Sequence, residues 1–171
     1  AGTAGLKSVS VTTAGGTATK ASAFTYVALP TITSVAPASG PVAGGTTITI
    51  VGTNLLGAAV KVGDLAANTV VVNATGTSLT AKTPAGTAGL KSVSVTTAGG
   101  TATKASAFTY VALPTITSVA PASGPVAGGT TITIIGTNLL GATVKVGDLA
   151  ANTVVVNAAG TSLTAKAPAG T

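Results

Sequence analysis

The sequence lacks cysteine, histidine, methionine and tryptophan, and only 6% of its 171 residues are charged. Without His or Cys it has no imidazole base, no thiol nucleophile, no disulfide and no usual zinc ligand set. Asp64 and Asp148 are the only acids, whereas glycoside hydrolysis takes a pair of carboxylates and metal-assisted phosphoryl transfer usually takes several. The composition therefore predicts a protein that is not an enzyme, with no catalytic residue, no metal site and no cofactor.

Charge and long apolar runs are also sparse. The eight basic residues are all lysines, scattered singly along the chain, and the net charge is +6. Nucleic-acid surfaces concentrate Lys and Arg on one face and often add aromatic stacking groups, so we expect no nucleic-acid partner. No run approaches the 18 or more apolar residues of a membrane helix, so we expect no membrane span.

The dominant feature that is present is an internal repeat. The segment that begins at Ala1 recurs at Ala85, and the match continues to Pro84 against Pro168, which gives a period of 84 residues. Four positions differ between the copies: Val51/Ile135, Ala59/Thr143, Thr75/Ala159 and Thr83/Ala167. These exchanges are small, so both copies should share one fold in a tandem array.

The local pattern within one period is that of β-structure. Residues 47–50 and 60–62 alternate apolar with polar side chains, and 70–72, 78–80 and 92–95 are further short β-branched runs. Turn signals separate them at residues 38–41, 43–45, 63–64, 84–86 and 98–100. Short strands at this spacing predict an all-β protein built as a β-sandwich, with a core of Ile48, Ile50, Val60, Val62, Leu79, Val93, Val95 and Phe108.

Two stretches resemble a known family. Residues 30–41 and 43–54 are similar to the opening of an IPT/TIG immunoglobulin-like domain, and residues 93–103 and 108–111 are similar to its close. The resemblance implies tandem Ig-like β-sandwich repeats of the E-set type. It also implies that the chain is divided as the last two strands of a preceding repeat at 1–28, a complete domain at 30–111, and a following repeat that lacks those strands at 114–171.

An open sandwich exposes strand edges and an apolar face. Residues 114–171 contain no aromatic residue, whereas the first segment carries Val9, Val11, Phe24 and Tyr26. We therefore predict that these four residues are inter-unit core contacts, with identical copies of the chain as partners in a head-to-tail filament. Burying four such side chains would contribute roughly 6 to 12 kcal/mol gross.

Several residues have competing interpretations. Phe108 and Tyr110 are interpreted as core anchors rather than a stacking platform for a ligand. Asp64 is expected in a turn, and Lys91 at a strand end, with an amide crosslink through this lysine as the alternative. Asn73-Ala74-Thr75 matches the glycosylation pattern, but the second copy does not, so we interpret the match as incidental.

The function that these features favour is a structural repeat module of an extracellular filament or surface fibre. Each unit would stack only on its neighbours, through strand complementation or covalent continuation, and length would follow from copy number. The alternative is an adhesin or carbohydrate-binding accessory module, with a surface glycan or host molecule as ligand. Both functions place the protein outside the cell or at the cell surface.

Overall fold

The computed structural model describes residues 2–170, so Ala1 and Thr171, the outer ends of two of the predicted segments, lie outside the described residues. The chain folds as two compact units, residues 1–111 and 112–171. All regular structure in the described part is β-strand. Residues 2–170 contain no helix that could serve as a membrane span.

The chain begins with an isolated hairpin of two antiparallel strands, β1 (Gly5–Thr13) and β2 (Gly16–Tyr26). Its turn contains Gly15 and Gly16, and Gly16 has a φ of 126°, a conformation that favours glycine. A register shift between Lys7 and Val9 interrupts the ladder. This hairpin forms a sheet of its own.

A complete sandwich follows in the same unit. Its first sheet contains β3 (Thr31–Ala36), β5 (Thr47–Thr53), β8 (Asn68–Val72) and β9 (Ser78–Lys82), in the order β3-β5-β9-β8. Its second sheet contains β4 (Ser39–Pro41), β6 (Ala59–Val62), β7 (Leu65–Ala66), β10 (Gly89–Thr97) and β11 (Gly100–Val111), in the order β4-β11-β10-β6-β7. The all-β, Ig-like prediction is confirmed.

Alternation along the strands builds the core between the two sheets. Exposed and buried residues alternate along strand β5, as expected for a strand with one face in the core, and Ile48 and Ile50 are fully buried. All eight predicted core residues are buried, and Leu55, Ala81, Ala107 and Tyr110 join them. The predicted core is therefore confirmed.

The second unit repeats only part of this arrangement. Its four-stranded sheet contains β12 (Thr115–Ala120), β13 (Thr131–Thr137), β16 (Asn152–Val156) and β17 (Ser162–Lys166), in the order β12-β13-β17-β16. The short hairpin of β14 (Lys145–Val146) and β15 (Leu149–Ala150) makes a separate sheet. Within residues 112–170 no strand corresponds to β10 or β11.

Two strands of the complete domain depend on the hairpin β10–β11. Residues 39–41, which the sequence predicts as a turn, instead form β4 and pair in parallel with β11, so that prediction is wrong. The identical residues 123–125 are not a strand. Strand β6 pairs with β10 over four residues, whereas its counterpart β14 keeps only two. The backbone at these positions is a full strand in the complete domain, where β10 and β11 share hydrogen bonds with it, and not in the second unit, where no such partner is present.

Candidate assembly site

The first hairpin reproduces β10–β11 in detail. Its pairs Lys7–Phe24 and Val9–Lys20 match Lys91–Phe108 and Val93–Lys104, with the register shift at the same place. The rings of Phe24 and Tyr26 meet edge to face with centroids 5.0 Å apart, as do those of Phe108 and Tyr110 at 5.1 Å. The first hairpin thus holds the arrangement that its counterpart uses inside a core.

The surroundings of the two hairpins differ sharply. The four predicted inter-unit residues are half exposed, whereas their counterparts Val93, Val95, Phe108 and Tyr110 belong to one buried core cluster. In the first hairpin the exposed fractions are 46% for Val9, 63% for Val11, 52% for Phe24 and 47% for Tyr26. Their counterparts are 2% exposed at Tyr110 and 0% exposed at the other three positions. An apolar face of this kind is unusual on a free strand pair.

The second unit carries a groove at the place that β11 occupies in the complete domain. The groove has a volume of about 500 Å³, and its lining includes Val119, Gly124, Val126, Val146, Ala167 and Gly170. Val146 is 45% exposed there, whereas its counterpart Val62 is 1% exposed. The lining is therefore an apolar surface that the complete domain covers.

Glycines in the complete domain show what fills the equivalent space. A side chain added at Gly40 would come within 3.0 Å of the Phe108 ring, and one added at Gly86 within 2.7 Å of the Tyr110 ring. The Tyr110 hydroxyl also donates to the carbonyl oxygen of Pro84 at 2.7 Å. In the second unit, Gly170 has only Val126 nearby, at 3.8 Å. The groove therefore corresponds to the space that the two aromatic rings of β11 fill in the complete domain.

One of the four sequence differences falls at this place. The hydroxyl of Thr83 is buried, accepts a hydrogen bond from the Thr46 amide at 3.2 Å and bonds the Tyr110 side chain. Burial raises the pKa of Tyr110 above its ordinary value of 10.0, and the bond from Thr83 partly opposes this. The second unit has Ala167 instead, so its groove lacks this polar partner.

The other sequence candidates have local roles. Asp64 lies in the turn between β6 and β7, as predicted. Lys91 donates through Nζ to Thr87 Oγ1 at 2.9 Å. The Asn73 carboxamide bonds Thr75 and Thr77 and orders its own turn.

The sequence singled out the four apolar residues of the first hairpin but not the residues that line the groove of the second unit. Val126 and Val146 lie in residues identical to 42 and 62, so comparing burial between the copies identifies them where the sequence does not. A stacking platform is available only on the first hairpin, because Phe108 and Tyr110 are buried.

Together the fold and the site define an Ig-like β-sandwich repeat protein with one complete and one open sandwich. The family model described as IPT/TIG domain matches residues 30–110 and 114–171. The chain belongs to the IPT/TIG domain family.

Partial similarity extends to solved structures of two kinds of protein. Domains 1 to 10 of the plexin A4 extracellular region are 28% identical with a TM-score of 0.44, over 82% of this chain and 13% of that one. SGBP-B from a xyloglucan utilization locus of Bacteroides uniformis is 27% identical with a TM-score of 0.41, over 83% of this chain and 43% of that one. The chain thus spans less than half the length of either protein.

Proposed function

We propose that this chain is a structural repeat module of an extracellular filament or surface fibre, in which the hairpin β1–β2 of one unit completes the open sandwich of the next. One observation carries the proposal. The same sequence is an exposed hairpin at residues 5–26 and half of a core at residues 89–110. The groove of the second unit is the place that this half core leaves open.

The repeat defines the register of the proposed contact. In the complete domain Val93, Ser94 and Val95 lie opposite Val62, Lys61 and Val60. The equivalent pairs between units are Val9 with Val146, Ser10 with Lys145, and Val11 with Val144. Strand β2 would lie parallel to residues 123–125, which then become a strand as residues 39–41 are in the complete domain.

The structure also adjusts the energy expected from the contact. The four hairpin side chains are already about half buried, so their remaining surface contributes about half of the gross value for full burial, or roughly 3 to 6 kcal/mol. Covering Val119, Val126 and Val146 adds apolar surface from the other side of the contact. Association costs about 4 to 15 kcal/mol, so we expect assembly of separate copies to depend on concentration.

The proposed contact joins two different surfaces, one at each end of the chain. A heterologous contact of this kind extends into a filament when its rotation does not close a ring. The same contact forms within one polypeptide wherever a hairpin of this sequence follows residues 114–170, which is the covalent form of the proposal. The role requires no catalysis, metal or cofactor.

We extend the proposal to location outside the cell or at the cell surface. The chain has no thiol to protect from oxidation, and its exposed strand positions carry many uncharged threonines. Labelling of intact cells with an antibody against residues 30–111 tests the location, and labelling only after permeabilisation would contradict it.

A cysteine pair tests the register of the assembly. Directly opposed residues on antiparallel strands have Cβ atoms about 4.5 to 5.5 Å apart, close to the span of a disulfide. The double variant Ser10→Cys/Lys145→Cys should therefore give a ladder of covalent multimers on a non-reducing gel after mild oxidation. The natural chain has no cysteine, so every band reports the introduced pair.

The matched control is Ser10→Cys/Thr143→Cys, which moves one cysteine two residues along the strand and should crosslink far more slowly. Removal of residues 1–28 should abolish multimers. Equal ladders from the two cysteine pairs, or a crosslinked monomer instead of a ladder, would contradict the proposed filament.

A further inference from the structure

The turn between β10 and β11 lies against the linker that precedes the complete domain, at Ala28 and Leu29. A side chain added at Gly99 would overlap the carbonyl oxygen of Ala28 and come within 2.7 Å of its carbonyl carbon. One added at Gly100 would come within 2.6 Å of the Leu29 methyl group Cδ2. At Gly99 the approach is backbone to backbone, and it leaves no room for a Cβ atom.

The same linker also accepts a hydrogen bond from an asparagine. The Asn54 side-chain amide donates to the carbonyl oxygen of Leu29 at 2.9 Å. The second unit repeats this bond from Asn138 to the carbonyl oxygen of Leu113, at 3.0 Å. One of the two contacts on the second linker is therefore already in place.

The other contact is missing from the second unit. Pro30 is buried, whereas its counterpart Pro114 is exposed. The free turn of the first hairpin has the conformation that this contact needs, because Gly16 and Gly100 have φ angles of 126° and 128°. A Cβ atom added at Gly15 would have only Thr13 Oγ1, in the same hairpin, within 4 Å, at a distance of 3.6 Å. An alanine therefore fits at this position in the free hairpin.

We infer that the turn of a donated hairpin, residues 14–16, closes over the linker 112–114 of the acceptor unit. This inference rests on the proposed function and adds a second contact surface to it, with a second copy of the chain as the partner. Assembly would then cover the linker as well as fill the groove, and a linker enclosed between Asn138 and the turn has little freedom to bend. Completing a sandwich would thereby stiffen the joint that precedes it.

The substitution Gly15→Ala in the full chain tests the inference. Its φ lies outside the range that favours glycine, so the free hairpin should fold normally. In the assembly the added Cβ would overlap the acceptor backbone, so we expect self-association to weaken roughly 5- to 100-fold. We also expect hydrogen exchange at the amides of Ala112, Leu113 and Thr115 to stay as fast as in dilute, unassembled protein.

Two controls come from the same turn. Ala14→Ser changes a position that is exposed here and in its counterpart Ala98, so wild-type association and linker protection are expected. Gly99→Ala disrupts the contact that already exists, so it should speed hydrogen exchange at the amides of Ala28, Leu29 and Thr31 even in unassembled protein.

The outcomes separate this inference from the proposed function. If the Ser10/Lys145 cysteine pair gives a ladder but Gly15→Ala keeps wild-type affinity and a protected linker, only the turn contact is wrong. Unchanged exchange in Gly99→Ala would overturn it in the same way. If no ladder forms, the proposed assembly fails and the turn contact fails with it.

Discussion

At the scale of single residues, Tyr110 contributes both a packed ring and a hydrogen-bonded hydroxyl to the core of the complete domain. Its ring packs edge to face on Phe108, and its hydroxyl donates to the Pro84 carbonyl oxygen, while burial raises its pKa and a hydrogen bond with the Thr83 side chain partly opposes this rise. A buried phenol is stable there only as the neutral, donating form. The same residue in the first hairpin, Tyr26, is half exposed.

The raised pKa of Tyr110 predicts a loss of stability at alkaline pH. The unfolded chain ionises Tyr110 near pH 10, whereas the folded chain holds the proton to a higher pH. The free energy of unfolding should therefore be unaffected by this group below about pH 10 and fall as the pH rises through the folded pKa. Thermal unfolding between pH 8 and 12 measures the loss.

The control for this prediction is Tyr110→Phe, which should be less stable at pH 8 by about 1 kcal/mol for the lost hydrogen bond and should lose less stability at high pH. Lysine titration affects both proteins alike. A parallel decline in the two proteins would show that Tyr110 is not responsible.

The exchange of Thr83 for Ala167 predicts opposite effects in the two units. Thr83→Ala leaves the Thr46 amide without its side-chain acceptor, so unfolding of the complete domain should become easier by about 1 to 3 kcal/mol. Ala167→Thr supplies the missing hydroxyl to an incoming Tyr26, so self-association should tighten by roughly 2- to 10-fold. Calorimetry and sedimentation equilibrium measure the two effects, and weaker association of Ala167→Thr would contradict the proposed groove.

At the scale of elements, the first hairpin is already formed in the single chain. Its register, its irregularity at Lys7 and its aromatic pair match those of β10–β11. A preformed strand pair loses less conformational freedom on binding than a disordered segment does. The groove of the second unit differs in this respect, because residues 123–125 are not a strand there, and in the proposed assembly they would become one.

Equivalent substitutions in the two hairpins should have different effects, one on self-association and the other on the stability of the complete domain. Phe24→Ala removes a ring that fills no core in the single chain, so it should weaken self-association strongly and leave unfolding of the complete domain unchanged. Phe108→Ala empties a fully buried site and should cost that domain about 3 to 5 kcal/mol. Sedimentation and thermal melts of both variants test this, and equal destabilisation of the domain by Phe24→Ala would refute it.

At the scale of the whole molecule, one fold is present in three states of completion. Residues 5–26 are a free hairpin, residues 30–111 hold a closed core, and residues 114–170 hold a sandwich without the strands that correspond to this hairpin. The open unit keeps a small core of its own, built on Ile132, Ile134, Leu139, Leu163 and Ala165.

This arrangement predicts that residues 30–111 fold on their own. The segment should give a β-type circular dichroism spectrum and a single cooperative melt, because its two sheets enclose one core. Residues 112–171 alone should melt at a lower temperature and with less cooperativity. A disordered spectrum for residues 30–111 would contradict the domain boundaries.

Alternation within each run determined which side chains enter the core, as Ile48, Ile50, Val93 and Val95 show. Each residue of a strand faces opposite to the next, so this information is local and readable from the sequence. The repeat likewise singled out the four apolar residues of the first hairpin, since their counterparts lie on the two strands that close the complete domain.

Only the tertiary structure decided what identical segments become. Residues 39–41 and 123–125 have the same sequence, yet the first is a strand and the second is not. Val62 and Val146 also have identical neighbours, yet one is buried and the other exposed. A short strand forms, and a side chain is buried, when a distant partner satisfies its backbone and covers its face; here that partner is β10–β11, which lies against one copy and not the other.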